Sequence, residues 1–391
     1  MNLIEVNSPQ TVKAFLDLPN LIYKDIDNYI RPLNPDIEAV FDPQKNKKFE
    51  DGGEVIRWIL QRENGEVIGR VAAFIDPKAG IGSDIPVGGM GFFECINDQS
   101  AANQLFDACK KWIEARGKEG MDGPINFGER DRFWGLLVEN FSPTSYLQNY
   151  NPPYYQQLFE NYGFEVYFKQ ITFYRKLGIA LSEKEVRWAN MVLENDEYHF
   201  GYAEKGKLDK YAKDFATVYN QAWGGAYEEF EPLSDEAAMN IMNSLKPILD
   251  EKIVYFGYHK EDPIAVFINL PEINSILKDF NGKFGWWQKL QFMWRLKVAK
   301  DCKRMYGMSF GVVPKYQRRG AVAALIKVAS DTVQEGEHKD AYKDMEFTWI
   351  ADYNVKMINM CKNIGGEPYR QHATYRKLFD ENAVFERYPM I

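Results

Sequence analysis

At 391 residues the chain exceeds the usual span of one domain, so two domains are the expectation. A hydrophobic fraction of 45%, with 15% aromatic, supplies packed cores and excludes wholesale disorder. The net charge of −8 argues against nucleic acid as a partner, since such proteins carry a basic surplus.

The cysteines Cys95, Cys109, Cys302 and Cys361 stand far apart with no CxxC pair, which indicates neither a disulfide framework nor zinc. The histidines His199, His259, His338 and His372 show no ligand spacing, so no metal is expected and they read as surface or partly buried groups. MNLIEVNSPQ has no basic region followed by an apolar one. No window approaches the roughly 18 apolar residues of a membrane span. A cytoplasmic protein with reduced thiols is the expectation.

In chain order, Val55 to Asp76 reads as a hairpin around Asn64-Gly65. An apolar strand follows at Gly88 to Ile96, then a helix from Gln99 to Arg116 by its periodicity, then a strand around Pro124 to Phe127. The segment Tyr155 to Leu177 is a helix ending at Gly163 and an extended stretch closing on Tyr-Arg-Lys-Leu. After a polar helix between Gly178 and Asn195 the same order returns. Ile253 to Leu270 is a hairpin, Met305 to Val313 a strand, Ala321 to Glu335 a helix and Met345 to Ile350 a strand. Lys356 to Leu378 then repeats the helix, the glycine (Gly365) and the Tyr-Arg-Lys-Leu ending. The chain is thus an α+β unit present twice, with halves expected at 1–185 and 186–391.

The second half carries a junction that the first lacks. Val312-Val313-Pro314 ends a strand, Gln317-Arg318-Arg319-Gly320 makes a turn, and Ala321-Val322 opens a helix. Unpaired N–H groups and the macrodipole at such a helix start favour an anion, and a glycine turn can form a concave nest around phosphate. The corresponding Asn97 to Ala102 holds no glycine or arginine; Asp98 there would repel phosphate and is a good helix cap.

Gln317-Arg318-Arg319-Gly320, between that strand and helix, resembles the acetyl-CoA signature of the GNAT acetyltransferases. Val322 departs from the small residue usual at its position. Thr348-Trp349-Ile350-Ala351-Asp352-Tyr353-Asn354 is similar to the family's fifth strand and the helix after it. The resemblance covers Tyr198 to Leu378 and, through the repeat, implies two tandem GNAT-like domains. Each would be a mixed, mostly antiparallel twisted sheet flanked by helices, the first a copy without the signature.

It implies acetyl-CoA or another acyl-CoA as co-substrate. Phe310, Gly311, Val312, Val313, Gln317, Arg318, Arg319, Gly320, Ala321, Val322 and Asn354 would hold it, and a backbone N–H in the Phe310–Val312 region would meet the oxyanion. Transfer to an amine needs a proton acceptor, for which Glu346 and Asp352 are the candidates, while Cys361 stands where many family members place a tyrosine general acid. Glu228, Glu229 and Glu231 fall in the connection that the resemblance makes an acceptor-binding loop.

The expected activity is N-acyl transfer, most simply acetyl transfer, to a small-molecule, peptide or lipid-linked amine. The other readings are a non-catalytic acyl-CoA sensor and a long-chain acyltransferase of double-GNAT type.

An insertion spans 272–303. Trp286, Trp287, Leu290, Met293, Trp294 and Leu296 give it an apolar stripe, and Lys283, Lys289, Arg295, Lys297 and Lys300 make it basic. It reads as a helix packed over the domain interface with its basic edge in water, as a lid over a long acyl chain, or as peripheral membrane contact through 283–300.

Overall fold

A computed structural model describes the chain except at residues 78–84, 225–230, 318, 335–338, 340 and 390–391. Both halves repeat one plan. In the first, β1 (Asn2–Glu5), β2 (Glu54–Gln61), β3 (Val67–Ile75) and β4 (Val87–Cys95) run antiparallel, and β5 (Gly120–Gly123) lies parallel to β4. A short β6 (Leu136–Glu139) and the long β7 (Glu165–Lys176) follow. In the second half β8 (Tyr198–Tyr202), β9 (Val254–His259), β10 (Asp262–Pro271) and β11 (Arg304–Val312) are antiparallel, and β12 (Asp344–Ala351) runs parallel to β11. The last strand is β13 (Glu367–Leu378).

Local chemistry sets the boundaries. Gly65 takes φ +89° in the β2–β3 turn, and the Glu66 N–H bonds the Asn64 side chain. Ser182 and Glu185 form a capping box at the start of the helix Glu183–Leu193 that joins the halves. Gly163 ends the helix Tyr154–Tyr162 at φ +91°. The strand expected at Pro124–Phe127 lies earlier, at Gly120–Gly123, and Pro124 follows a cis peptide bond.

The two halves share one 13-stranded sheet, ordered β1-β2-β3-β4-β5-β13-β7-β12-β11-β10-β9-β8, with β6 on β13. The closing strands are exchanged. β7, from the first half, pairs with β12 of the second, and β13, from the second, pairs with β5 and β6 of the first. Buried polar side chains hold this exchange. Arg376 of β13 makes two hydrogen bonds to Asp122 of β5, at 2.7 and 2.8 Å. Trp134 Nε1 donates to Thr374 Oγ1 at 3.1 Å, and Arg370 donates to Ser142 Oγ and the Pro143 carbonyl. His372 is fully buried, not the surface or partly buried group expected. Burial, with Arg370 nearby, pulls its pKa down to about 4, so the neutral ring donates from Nε2 to the Asn149 carbonyl at 2.8 Å.

Candidate active site

Parallel pairing between β11 and β12 runs from Arg304↔Asp344 to Gly307↔Phe347 and then stops. Beyond it, Met308–Val312 and Thr348–Ala351 continue as the arms of a fork. On its other side β11 bulges. Ile268 of β10 faces Ser309 and Asn269 faces Gly307, which leaves Met308 as the extra residue at the fork apex.

The Val313 N–H bonds the Ile264 carbonyl at 2.9 Å, so by the alternation of an antiparallel ladder Gly311 and Ser309 also address β10. Phe310 and Val312 therefore turn their backbone groups into the fork. The Gln317 side-chain amide donates to the Val312 carbonyl at 2.9 Å, tying the turn to the strand end.

Register across the bulge puts Tyr306, Ser309 and Gly311 on one face of the sheet. The Trp223 ring lies over Gly311, where a Cβ would come within 2.4 Å of it. The Tyr306 hydroxyl donates to Thr348 Oγ1 at 3.0 Å and accepts from Gln148 Nε2 at 3.3 Å, and the Trp349 indole donates to the Arg130 carbonyl. Gln148 and Arg130 belong to the first half, which thus lines this face of the fork. The sequence places Thr348 in the fifth-strand segment but assigns no site role to it, to Tyr306 or to Gln148. Tyr306 stands five residues before Gly311, so strict alternation puts the two on opposite faces, and it is the bulge at Met308 that brings them to one face.

Past the fork, Gly320 adopts φ +80°. What approaches it is the linker helix: a Cβ there would lie 2.7 Å from Val192 Cγ2 and 2.9 Å from the Trp188 carbonyl oxygen. Ala321 and Ala324 are buried beneath the helix Ala321–Gln334, and Val322 packs partly against the same core. Arg319 is exposed, and Arg318 lies outside the described residues, as do Glu228 and Glu229. Glu231 is exposed. The Asn354 side chain accepts from the Met357 N–H and caps the helix Val355–Asn363.

The three acid–base candidates do not converge. Glu346, 0% exposed, is ion-paired with Arg370, accepts from Ser145 Oγ at 3.0 Å and lies 3.5 Å from Arg304. Asp352 pairs with Arg387 at 2.7 Å near the C-terminus. Cys361 sits in the core with its thiol pushed up to about 12 by burial. A fourth carboxyl, Glu272, accepts the Tyr146 and Asn274 N–H groups, and burial raises it to about 7.

The first half closes its own fork. The Ile125 N–H donates to the Met90 carbonyl at 2.8 Å, and a Cβ on Gly91 would fall 1.9 Å from the Ile125 oxygen. β4 carries the matching bulge at Phe92, with φ +51°, but behind it lies a cavity of only about 60 Å³. Glu94 fills its wall, accepting from Tyr23 and Tyr155 at 2.7 and 2.8 Å and facing Arg70 at 3.3 Å. At the helix start Asp98 accepts the Ser100 and Ala101 N–H groups, so a carboxylate already occupies the anion position. A cleft of about 1000 Å³ lies elsewhere, between the first helix and the insertion, and none of the fork residues lines it.

A parallel strand pair beside a bulge, leading into a helix, is built twice, and in the second half the pair forks and passes through a glycine turn; this is the tandem GNAT fold. The chain aligns over 98% of its length with 99% of a solved tandem GNAT protein from the clavulanic acid biosynthesis pathway, with a TM-score of 0.54. At 11% identity that likeness shows the fold alone. The chain matches no family profile. It is 26% identical to a protein named bacterial ceramide synthase from Caulobacter vibrioides, over 96% of this chain and 97% of that one. It is 25% identical to Protein YghO of Escherichia coli K12, over 94% and 92%.

Proposed function

We propose that the protein is an acyl-CoA-dependent N-acyltransferase with one active site, in the second half, and that the transferred acyl chain is long. The reading rests on the open fork of β11 and β12, where the Phe310 carbonyl and the Val312 N–H face away from β10 beyond the end of the β11–β12 ladder and suit an extended pantetheine arm. The glycine turn and Arg319 would receive the pyrophosphate. The near full-length likeness to a ceramide synthase supports a long-chain amino alcohol as acceptor, since a ceramide is the amide of such an amine.

In this reading the neutral amine attacks the thioester carbonyl, a C–N bond forms and the C–S bond breaks. The amine proton leaves and the CoA thiolate is protonated. The Phe310 N–H stabilises the oxyanion, and bringing the two substrates together contributes much of the rate. Glu346 and Asp352 are both committed to arginines, so we assign proton handling to the Tyr306–Thr348 hydroxyl pair beside the fork apex.

The test is release of CoA thiol from acetyl-, lauroyl- and palmitoyl-CoA, with and without sphinganine, with the product identified by mass. Amine-dependent release that favours the long chains, giving the N-acyl product, is expected. Release from acetyl-CoA alone would refute the long-chain assignment, and binding without thiol release on any of these amine–thioester pairs would leave the sensor reading standing.

A further inference from the structure

The insertion helix Trp286–Trp294 and the turn that continues it to Ala299 face two ways. Inward, Phe292 and Leu296 pack with Ile276, Leu277 and Phe280 and with Leu33 of the first half. Arg295 locks this seat through Asp279 and Asp301, each at 2.6 Å, and the Gly282 carbonyl accepts the Asn34 N–H at 2.7 Å. The insertion does lie across the domain interface, but with its narrow face.

The broad apolar stripe is turned to solvent. Trp286 is 72% exposed, Trp287 62%, Leu290 56%, Trp294 59% and Val298 67%. Isolated exposed apolar residues are ordinary, whereas three tryptophans, a leucine and a valine on one short arc form a patch that needs a partner.

We propose that this stripe docks the protein on the surface of a lipid bilayer carrying anionic headgroups. Two observations select that occupant over a protein partner or a second copy. The patch is dominated by tryptophan, whose amphipathic ring favours the headgroup level of a bilayer. Charge is the second: between 278 and 303 there are seven basic and two acidic side chains, on a chain of net charge −8. Both acids, Asp279 and Asp301, are held by Arg295, while Lys283, Lys289 and Lys300 are exposed beside the stripe. No helix among the described residues is long and apolar enough to cross a membrane, so the contact is peripheral. The docking helix leads directly into β11, so the fork strand starts from the bilayer-bound element.

The experiment is flotation with vesicles of phosphatidylcholine alone and of phosphatidylcholine mixed with phosphatidylglycerol, which does not depend on any acyl-transfer activity. The wild type should float with the mixed vesicles and lose binding as salt is raised. Joint Trp286→Ser, Trp287→Ser and Trp294→Ser substitution, confined to exposed positions, should weaken partitioning by about tenfold or more. Joint Lys283→Glu and Lys289→Glu substitution should weaken it on mixed vesicles only. Failure of the wild type to float with either vesicle, equal flotation of the triple variant, or a wild-type dimer abolished by the tryptophan substitutions would overturn the proposal.

Discussion

Replacing Arg370 by alanine is expected to destabilise the fold by about 3–5 kcal/mol. The side chain is 1% exposed and reaches Glu346, which is 0% exposed and whose Oε1 has no hydrogen-bond partner among the described residues. Truncating the arginine leaves a buried carboxylate that, among the described residues, Ser145 and the more distant Arg304 meet. Arg370 lies on β13, which sits between β5 and β7, so the damage falls where the halves interlock. Denaturant titration should show a lower midpoint with an unchanged slope. The double substitution Arg370→Met with Glu346→Leu removes both charges together and should recover much of the loss. Recovery of stability would show the pair to be structural. A single variant of unchanged stability would show that the pair does not hold the exchanged strand.

Phe310→Pro is expected to lower kcat by about 10²–10³ while leaving acyl-CoA affinity within a few-fold, because it deletes an N–H aimed at the developing oxyanion. That N–H faces away from β10, so proline removes no bond of the β10–β11 ladder. Phe310→Leu keeps the N–H and an apolar side chain against the core while losing the edge contact with Phe267, and it should retain most activity. Steady-state kinetics of both variants, beside thermal melts, separate the chemical effect from a folding one. Equal activity of the proline variant and the wild type would rule out Phe310 as the donor.

The repeat, the junction at Gln317–Gly320 and the cap at Asp98 are visible in the sequence because each is local. A turn needs its glycine, and a helix start declares its cap within a few residues. The strand exchange is not local. β7 and β13 close on the same Tyr-Arg-Lys-Leu, and that pattern fits either neighbour; contacts distant in sequence, among them Asp122 opposite Arg376 and the Glu346–Arg370 ion pair reaching across β7, decide between them. Glu346 reads as a free carboxylate on an apolar strand, since its arginine arrives from the exchanged β13. β5 is hidden for a different reason: Gly-Met-Asp-Gly has the composition of a turn, and parallel pairing to β4 overrides it. Periodicity marks the stripe of the insertion helix but does not say which side the rest of the molecule covers. Gly320 shows the converse. Its need for a positive φ is legible, but the close neighbour is the linker helix.

Calorimetric titration with palmitoyl-CoA, below its micellar concentration, distinguishes an open second fork from a first fork shut by Ile125 and Asp98. One site per chain is the expected result, weakened by Arg319→Glu and untouched by Asp98→Ala. Two sites per chain, or none, would contradict it.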